Sequence, residues 1–326
     1  MIVSGAPFRV SFAGGGSDLP SFYARYGGAV LSCTIAKYSF AIIHPFFDSD
    51  NFNLKYSRTE VTNDVTKITN PILREVFRFL DVRGGLEVAS IADLPSGTGL
   101  GSSSSFCVAL LNGLYAHAGK FVSKERLAAE ACMIEIERLG EPIGKQDQYA
   151  AAFGGINFIE FHKNGSVTVE PLPLARETVA QLEQGLMLFY TGVQRSAGVI
   201  LSAQKARIDG DEAAVTTLRR MVDLSYRLRE TLGSGDLDGF GQILHENWLL
   251  KRSFTDQISS TTIDRLYQAA LEAGALGGKL AGAGGGGFLV IYCPPSAQPR
   301  VRAALRGLRE VEFRFDLEGA RIVFAR

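Results

Sequence analysis

Between Asp93 and Phe106 the chain alternates three glycines, Gly97, Gly99 and Gly101, with other residues and follows them with four consecutive serines, Ser102 to Ser105. The run from Phe106 to Leu114 is largely apolar and reads as a helix, so the loop lies at a helix N-terminus. Glycine lets backbone N–H groups close on an anion because no Cβ stands in the way, and the helix dipole favours negative charge at the same point. The serine hydroxyls can add contacts to phosphate oxygens or to a magnesium ion. The chemistry is that of a phosphate cradle, against the alternative of a Gly/Ser surface turn ahead of a capped helix. Two common cradles are excluded. No lysine lies between Gly85 and Gly119, which rules out a Walker A loop, and the even glycine spacing does not fit Gly-x-Gly-x-x-Gly.

Two further glycine loops, and three acidic positions after the cradle, accompany it. Arg9 leads through Gly14, Gly15 and Gly16 to Ser17 and Asp18, a loop whose backbone can approach a ligand closely or which Asp18 simply caps as a tight turn. Gly282, Gly284 and Gly287 do satisfy Gly-x-Gly-x-x-Gly. A helix is expected before them and a strand after, the reverse of the strand–loop–helix order a dinucleotide site requires. Phosphoryl transfer needs oxygen ligands for a metal, N–H dipoles or cations on the transferred group, and a carboxylate near the acceptor hydroxyl. Glu135 and Glu137 lie at the end of the helix expected from Ser123, and Asp147 in the polar stretch after it that also holds Lys145; in isolation they would read as solvated surface charges.

The elements that must position these groups are legible in outline. Strands are expected over residues 2–12, 86–92, 186–190 and 288–293, and one or two more over 28–45. Residues 48–67 are polar and read as a hairpin or exposed loop, and 156–172 as a hairpin turning at Asn164 and Gly165. Helices are expected over 71–80, from the Ser123 cap to about Ile136, and over 199–232, 236–252 and 262–273. The slight compositional shift near Pro171 to Arg176 suggests two domains, 1–172 and 173–326.

Composition narrows the function classes. The chain has 326 residues, 46% hydrophobic and 21% charged, with a formal net charge of zero, so no polyanion-binding surface is indicated and nucleic acid is not an expected partner. Its four cysteines form no Cys-x-x-Cys pair and its four histidines show no ligand spacing, which argues against zinc and for a reducing, cytoplasmic compartment. No signal peptide and no membrane span is expected.

The cradle resembles the second motif of the GHMP kinases, Pro-x-Gly-x-Gly-Leu-Gly-Ser-Ser, which Pro95 to Ser103 match without a gap. The glycine run after Lys279 is similar to their third motif, and the three motifs, in order, span Arg9 to Phe288. The resemblance implies a two-domain α/β (α+β) fold, ribosomal protein S5 domain 2-like in its N-terminal half and ferredoxin-like in its C-terminal half, with ATP and substrate meeting between them. It implies nucleotide contacts from Pro95, Gly97, Thr98, Gly99, Leu100, Gly101, Ser102, Ser103 and Ser104. It implies a Mg2+ site at Ser103 and Glu137, with Glu135 as the alternative, and catalytic roles for Asp147 and Arg9.

The first loop, keeping Arg9 and Asp18, looks most like that of the heptose 7-phosphate kinases, as do the stretches Gly144 to Gly155 and Leu244 to Arg252. That likeness implies ATP and a sugar phosphate as partners, a C1 hydroxyl as acceptor, and substrate contacts from Gly15, Gly16, Ser17, Asp18, Gly284 and Gly285. Lys145 and Arg195 are the expected cations for the remote phosphate, with Lys251 and Arg252 behind them. A fucokinase-like enzyme acting on an unphosphorylated sugar, and a non-catalytic sugar-binding regulator, are the alternatives. A homodimer is allowed for.

Overall fold

The computed structural model describes residues 1–193 and 197–326. The first half runs β1 (Ile2–Ala13), α1 (Pro20–Tyr26), β2 (Gly28–Pro45), β3 (Phe52–Lys55), β4 (Thr59–Thr62), α2 (Pro71–Leu80) and β5 (Leu86–Ala92). It continues through α3 (Ser102–His117), α4 (Lys124–Cys132), a π-helical turn (Met133–Arg138), α5 (Gln146–Phe153), β6 (Ile156–Phe161) and β7 (Val167–Pro171). The second half runs α6 (Arg176–Gly185), β8 (Leu186–Tyr190), α7 (Ala197–Gly210), α8 (Glu212–Gly233), α9 (Leu237–Arg252) and α10 (Thr261–Glu272). It ends with β9 (Gly277–Leu280), β10 (Phe288–Tyr292), α11 (Gln298–Ala304), β11 (Arg309–Glu310) and β12 (Arg321–Ala325).

One long strand organises the larger, eight-stranded sheet. The first part of β2, Gly28–Cys33, pairs with β6, and its second part, Ser39–Pro45, pairs with β5, while β1 runs antiparallel along both. The β1–β2 register slips between Pro7 and Phe8, as expected where proline has no N–H to give to the ladder. Every residue from Ser4 to Ala13 is buried, because both faces are covered. Val30, Ala41 and Ile43 pack with α3 and α5, whereas Phe8, Val10, Phe12 and Leu31 pack with α8, α9 and β10. Such two-sided burial produces a continuous apolar run instead of alternation.

The smaller sheet has the order β11-β8-β10-β9, all antiparallel. Counted within the half, that is 4-1-3-2 with a helix between β10 and β11, the ferredoxin-like arrangement. The expected two-domain fold is therefore present, with one correction to its boundaries. β12 returns to the first sheet and pairs with β1, Ile2 opposite Ala325, so residues 321–325 belong with the N-terminal half.

Other differences have local causes. The helix expected over 199–232 is two, because Asp211 interrupts it and caps α8 by accepting from the Ala213 N–H. A strand, β9, precedes the third glycine loop instead of a helix, which still leaves no strand–loop–helix unit there. The polar stretch before Tyr149 contains the start of α5, whose Gln146 and Gln148 are buried.

Candidate active site

The loop ahead of α3 gives the site its shape. Gly97, Gly99 and Gly101 all have left-handed φ values, and Gly101 is the N-cap of α3 with no side-chain cap on the helix. The first-turn residues Ser102, Ser103 and Ser104 line a cleft of about 290 Å³, together with Gly97, Gly99 and Gly101. An uncapped helix end with its N–H groups facing a cleft suits an anion. The loop is anchored from behind, because the Arg9 N–H donates to the Leu100 carbonyl at 3.0 Å and the Ser105 hydroxyl to the Pro7 carbonyl at 2.8 Å. Pro95, Thr98 and Leu100 do not line the cleft: Pro95 is exposed and accepts the Thr98 hydroxyl at 2.9 Å, and Leu100 is in the core.

Opposite this helix end, Arg9 and Asp147 form a two-pronged pair, Nε to Oδ1 at 2.7 Å and Nη2 to Oδ2 at 2.7 Å. The remaining Arg9 nitrogen donates to the Gly99 carbonyl at 2.5 Å, which ties the pair to the cradle. Bidentate geometry fixes the carboxylate plane as well as its distance. A Cβ on Gly101 would stand 3.1 Å from Asp147 Oδ2, so the carboxylate abuts the helix cap. Asp18 joins the first loop to α5, accepting from the Gly16 N–H at 3.0 Å and the Gln146 N–H at 3.2 Å. Burial, and then the charge of Asp147, raise its pKa above the usual carboxylate value.

The carboxylate beside the serines is Glu135. Ser103 Oγ donates to its Oε1 at 2.7 Å and Gln148 Nε2 to its Oε2 at 2.7 Å, and Glu135 lines the cleft. Burial pushes its pKa up to about 7, against hydrogen bonds from Ser103, Ser104 and Gln148 that lower it. Glu137, the first choice from the sequence, is exposed and outside the cleft. Residues two apart on a helix point to opposite sides, so only one of the two can face the serines. The π-helical turn over Met133–Arg138 sets that phase. Ser103 and Glu135 offer oxygen only, the donor type a hard cation such as Mg2+ takes alongside nucleotide phosphates.

The substrate candidates divide. Gly15, Gly16 and Asp18 line the cleft. Ser17 does not, because its hydroxyl is exchanged with the backbone of Ala29, donating to the carbonyl at 3.1 Å and accepting from the N–H at 3.2 Å. Lys145 turns away as well: its ammonium donates to the Gly165 carbonyl at 2.7 Å and lies 5.0 Å from the centre of the Tyr23 ring. Arg252 pairs with Asp264 at 3.2 Å. Gly284 and Gly285 face Ile258, whose carbonyl accepts from the Gly285 N–H at 2.8 Å; their neighbours Gly282 and Ala283 line the cleft instead. Arg195 lies outside the described residues.

Lys251 does reach the cleft, from the last turn of α9. Ser11, Gln146 and Gln204 also line it and had no distinguishing signal in the sequence. The two glycine motifs meet backbone to backbone there: a Cβ on Gly99 would come within 2.5 Å of the Ala281 carbonyl oxygen, and one on Gly287 within 2.2 Å of the Thr98 oxygen.

The sequence matches the GHMP kinases N terminal domain over residues 63–155 and the GHMP kinases C terminal region over residues 228–308. It is 31% identical over 331 residues to the D-glycero-alpha-D-manno-heptose 7-phosphate kinase of Campylobacter jejuni, covering 97% of this chain and 96% of that one. It is 31% identical over 236 residues to the galactokinase of Pyrococcus furiosus, 64% of each chain. The crystal structure of a D-glycero-D-manno-heptose 1-phosphate kinase from Bacteroides thetaiotaomicron superposes over 100% of both chains with a TM-score of 0.83 at 26% identity. Matched in both halves and along nearly its whole length, the chain belongs to the GHMP kinases and is an ATP-dependent sugar kinase.

Proposed function

We propose that this kinase transfers the γ-phosphoryl group of ATP, with Mg2+, to the anomeric C1 hydroxyl of D-glycero-D-manno-heptose 7-phosphate. The product is the 1,7-bisphosphate, a step toward GDP-heptose and surface polysaccharide. The observation that carries the reading is the bidentate Arg9–Asp147 pair set against the uncapped N-terminus of α3, in a chain that aligns end to end with a heptose 7-phosphate kinase. The N–H groups of Ser102 to Ser104 receive the ATP phosphates. Ser103 and Glu135 would hold the magnesium, which supplies charge neutralisation of the phosphates when bound. The acceptor hydroxyl stands against Asp147, which takes its proton as the new O–P bond forms. Arg9 keeps the carboxylate in place by both oxygens. Asp18 orients the sugar from the first loop, its carboxyl held by two backbone N–H groups.

The test is ADP release by purified protein with a panel comprising heptose 7-phosphate, free heptose, fucose, galactose and mannose. The expected result is turnover with the heptose phosphate at a kcat/KM at least about a hundredfold above the rest, within the discrimination a site that hydrogen-bonds a polar substrate group can reach. Equal turnover of fucose would replace this reading with that of a kinase for unphosphorylated sugars.

A further inference from the structure

The cleft contains a cation that the reading above leaves without a task. Lys251 is buried in the last turn of α9, yet its side chain lines the cleft, and its ammonium group donates to the carbonyl of Gly282 in the third glycine loop. Gly282 lies directly on Gly99 of the phosphate cradle, where a Cβ added to it would come within 2.6 Å of the Gly99 Cα. Arg9 donates to the carbonyl of that same Gly99. Two cations, one from each half of the molecule, are thus anchored on two glycines in contact. Arg9 is committed to Asp147 by both prongs. Lys251 makes no ion pair with a carboxylate among the described residues, and a carbonyl oxygen satisfies only one of its three N–H donors.

We propose that Lys251 is a catalytic residue, whose ammonium group contacts the oxygens of the phosphoryl group in flight from the C-terminal half of the cleft. This rests on the phosphoryl-transfer reading of the site but not on the identity of the sugar. In the step, the acceptor hydroxyl oxygen bonds to the γ-phosphorus and its proton passes to Asp147. The bond from that phosphorus to the bridging oxygen breaks, and ADP leaves with the electron pair. Lys251 donates hydrogen bonds throughout and keeps its proton.

The charged groups that face Lys251 are Arg9 from β1, Asp18 from the first loop, Asp147 from α5 and Lys279 from β9. Burial, and then Arg9, pull its pKa down to about 8, while Asp18 and Asp147 raise it. In the free enzyme the ammonium is therefore lost as pH rises through about 8. An arginine at that position would remain charged.

The experiment compares wild type, Lys251→Met and Lys251→Arg, with kcat, KM for ATP, melting temperature and the pH profile of kcat/KM measured for each. The wild type is run on whichever sugar of the panel it phosphorylates best. Lys251→Met is expected to lower kcat by about 100-fold or more, the usual loss for a donor to a transition-state oxyanion, with KM for ATP within about threefold. Lys251→Arg should recover part of the rate, and its kcat/KM should persist above pH 8, where that of the wild type declines. A Lys251→Met kcat within about threefold of wild type in a folded protein overturns the proposal, as does an unchanged alkaline limb in Lys251→Arg. If Lys251→Met does not fold, the pH limb of Lys251→Arg decides alone. No turnover of any sugar by the wild type would remove the kinase reading itself and the role of Lys251 with it.

Discussion

At the scale of single residues, the duties proposed for Asp147 and Glu135 are separable, and so are their tests. Asp147→Asn keeps the hydrogen-bonding shape and removes charge and basicity, so kcat is expected to drop by about two to four orders of magnitude with ATP binding retained; rapid-quench turnover and an ATP titration check this. Glu135 has a folded pKa raised to about 7 by burial. Ionising it therefore costs folding free energy. Stability from this group is full at pH below the ordinary carboxylate range and is lost as pH rises toward 7. A bound dication needs the ionised form, so protons compete with it below pH 7. The concentration of Mg2+ for half-maximal turnover should rise by up to about tenfold per pH unit of acidification below 7. Glu135→Gln should lose that dependence and melt higher than wild type at pH 8 without metal, which a melting series over pH reads directly. The cradle glycines were legible in the sequence from backbone chemistry and spacing, whereas Arg9 and Asp147 stood out only through the resemblance to the GHMP kinase motifs. The choice between Glu135 and Glu137 was not legible, since it depends on the phase of a helix that a π-helical turn changes. Lys145 misled for a related reason: adjacency in the chain to Asp147 says nothing about direction, and its ammonium goes to Gly165 on the far hairpin.

At the scale of elements, the two glycine loops act as one. Their backbones pack against each other at Gly99 and Ala281 and at Gly287 and Thr98, with no room for a Cβ at either glycine. The consequence for Gly99→Val differs from a simple obstruction of phosphate. Its Cβ would point at the Ala281 carbonyl, 2.5 Å away, at a left-handed φ of 81°. The variant should lose about 1–3 kcal/mol of stability from strain and overpacking and part its two loops; denaturant melts with ATP titrations would separate the two effects. A variant as stable as wild type would contradict the contact. The loops were visible in the sequence, but their contact was not, because it joins residues about 180 apart. α5 was missed for another physical reason. Periodicity looks for an apolar stripe, and the first turn of this helix buries glutamines and presents Asp147, as a cleft requires.

At the scale of the molecule, the two halves share a core. Phe8, Val10 and Phe12 of β1 pack with Leu224, Leu228, Phe240 and Phe288 of the second half, and the Phe12 and Phe240 rings lie 5.1 Å apart edge to face. A chain built this way should unfold in one step, with near- and far-ultraviolet circular dichroism melts coinciding. Two resolved transitions would show the halves to be independent. The two-domain architecture was expected from the resemblance to the GHMP kinases, not from the strands and helices alone. The return of the last strand could not be read, because Arg321 to Ala325 form a short segment whose strand partner, β1, lies more than 300 residues away.

That return has a bearing on how the protein is made. β1 is synthesised more than 300 residues ahead of β12, so its outer edge stays open for about 15–60 s at ordinary elongation rates of about 5–20 residues per second. During that time an apolar strand with unpaired N–H and C=O groups stands at the margin of a nascent sheet, the arrangement most exposed to pairing with a stranger. Yet the Met1 N–H groups and the Arg326 carbonyl are 2.5 Å apart, and the Arg326 N–H donates to Met1 in return. A tight turn would join Arg326 to Met1, so a rearranged gene placing residues 321–326 ahead of Met1 would encode the same two strands as a hairpin. A pairing between strands more than 300 residues apart would become a local one, which closes faster.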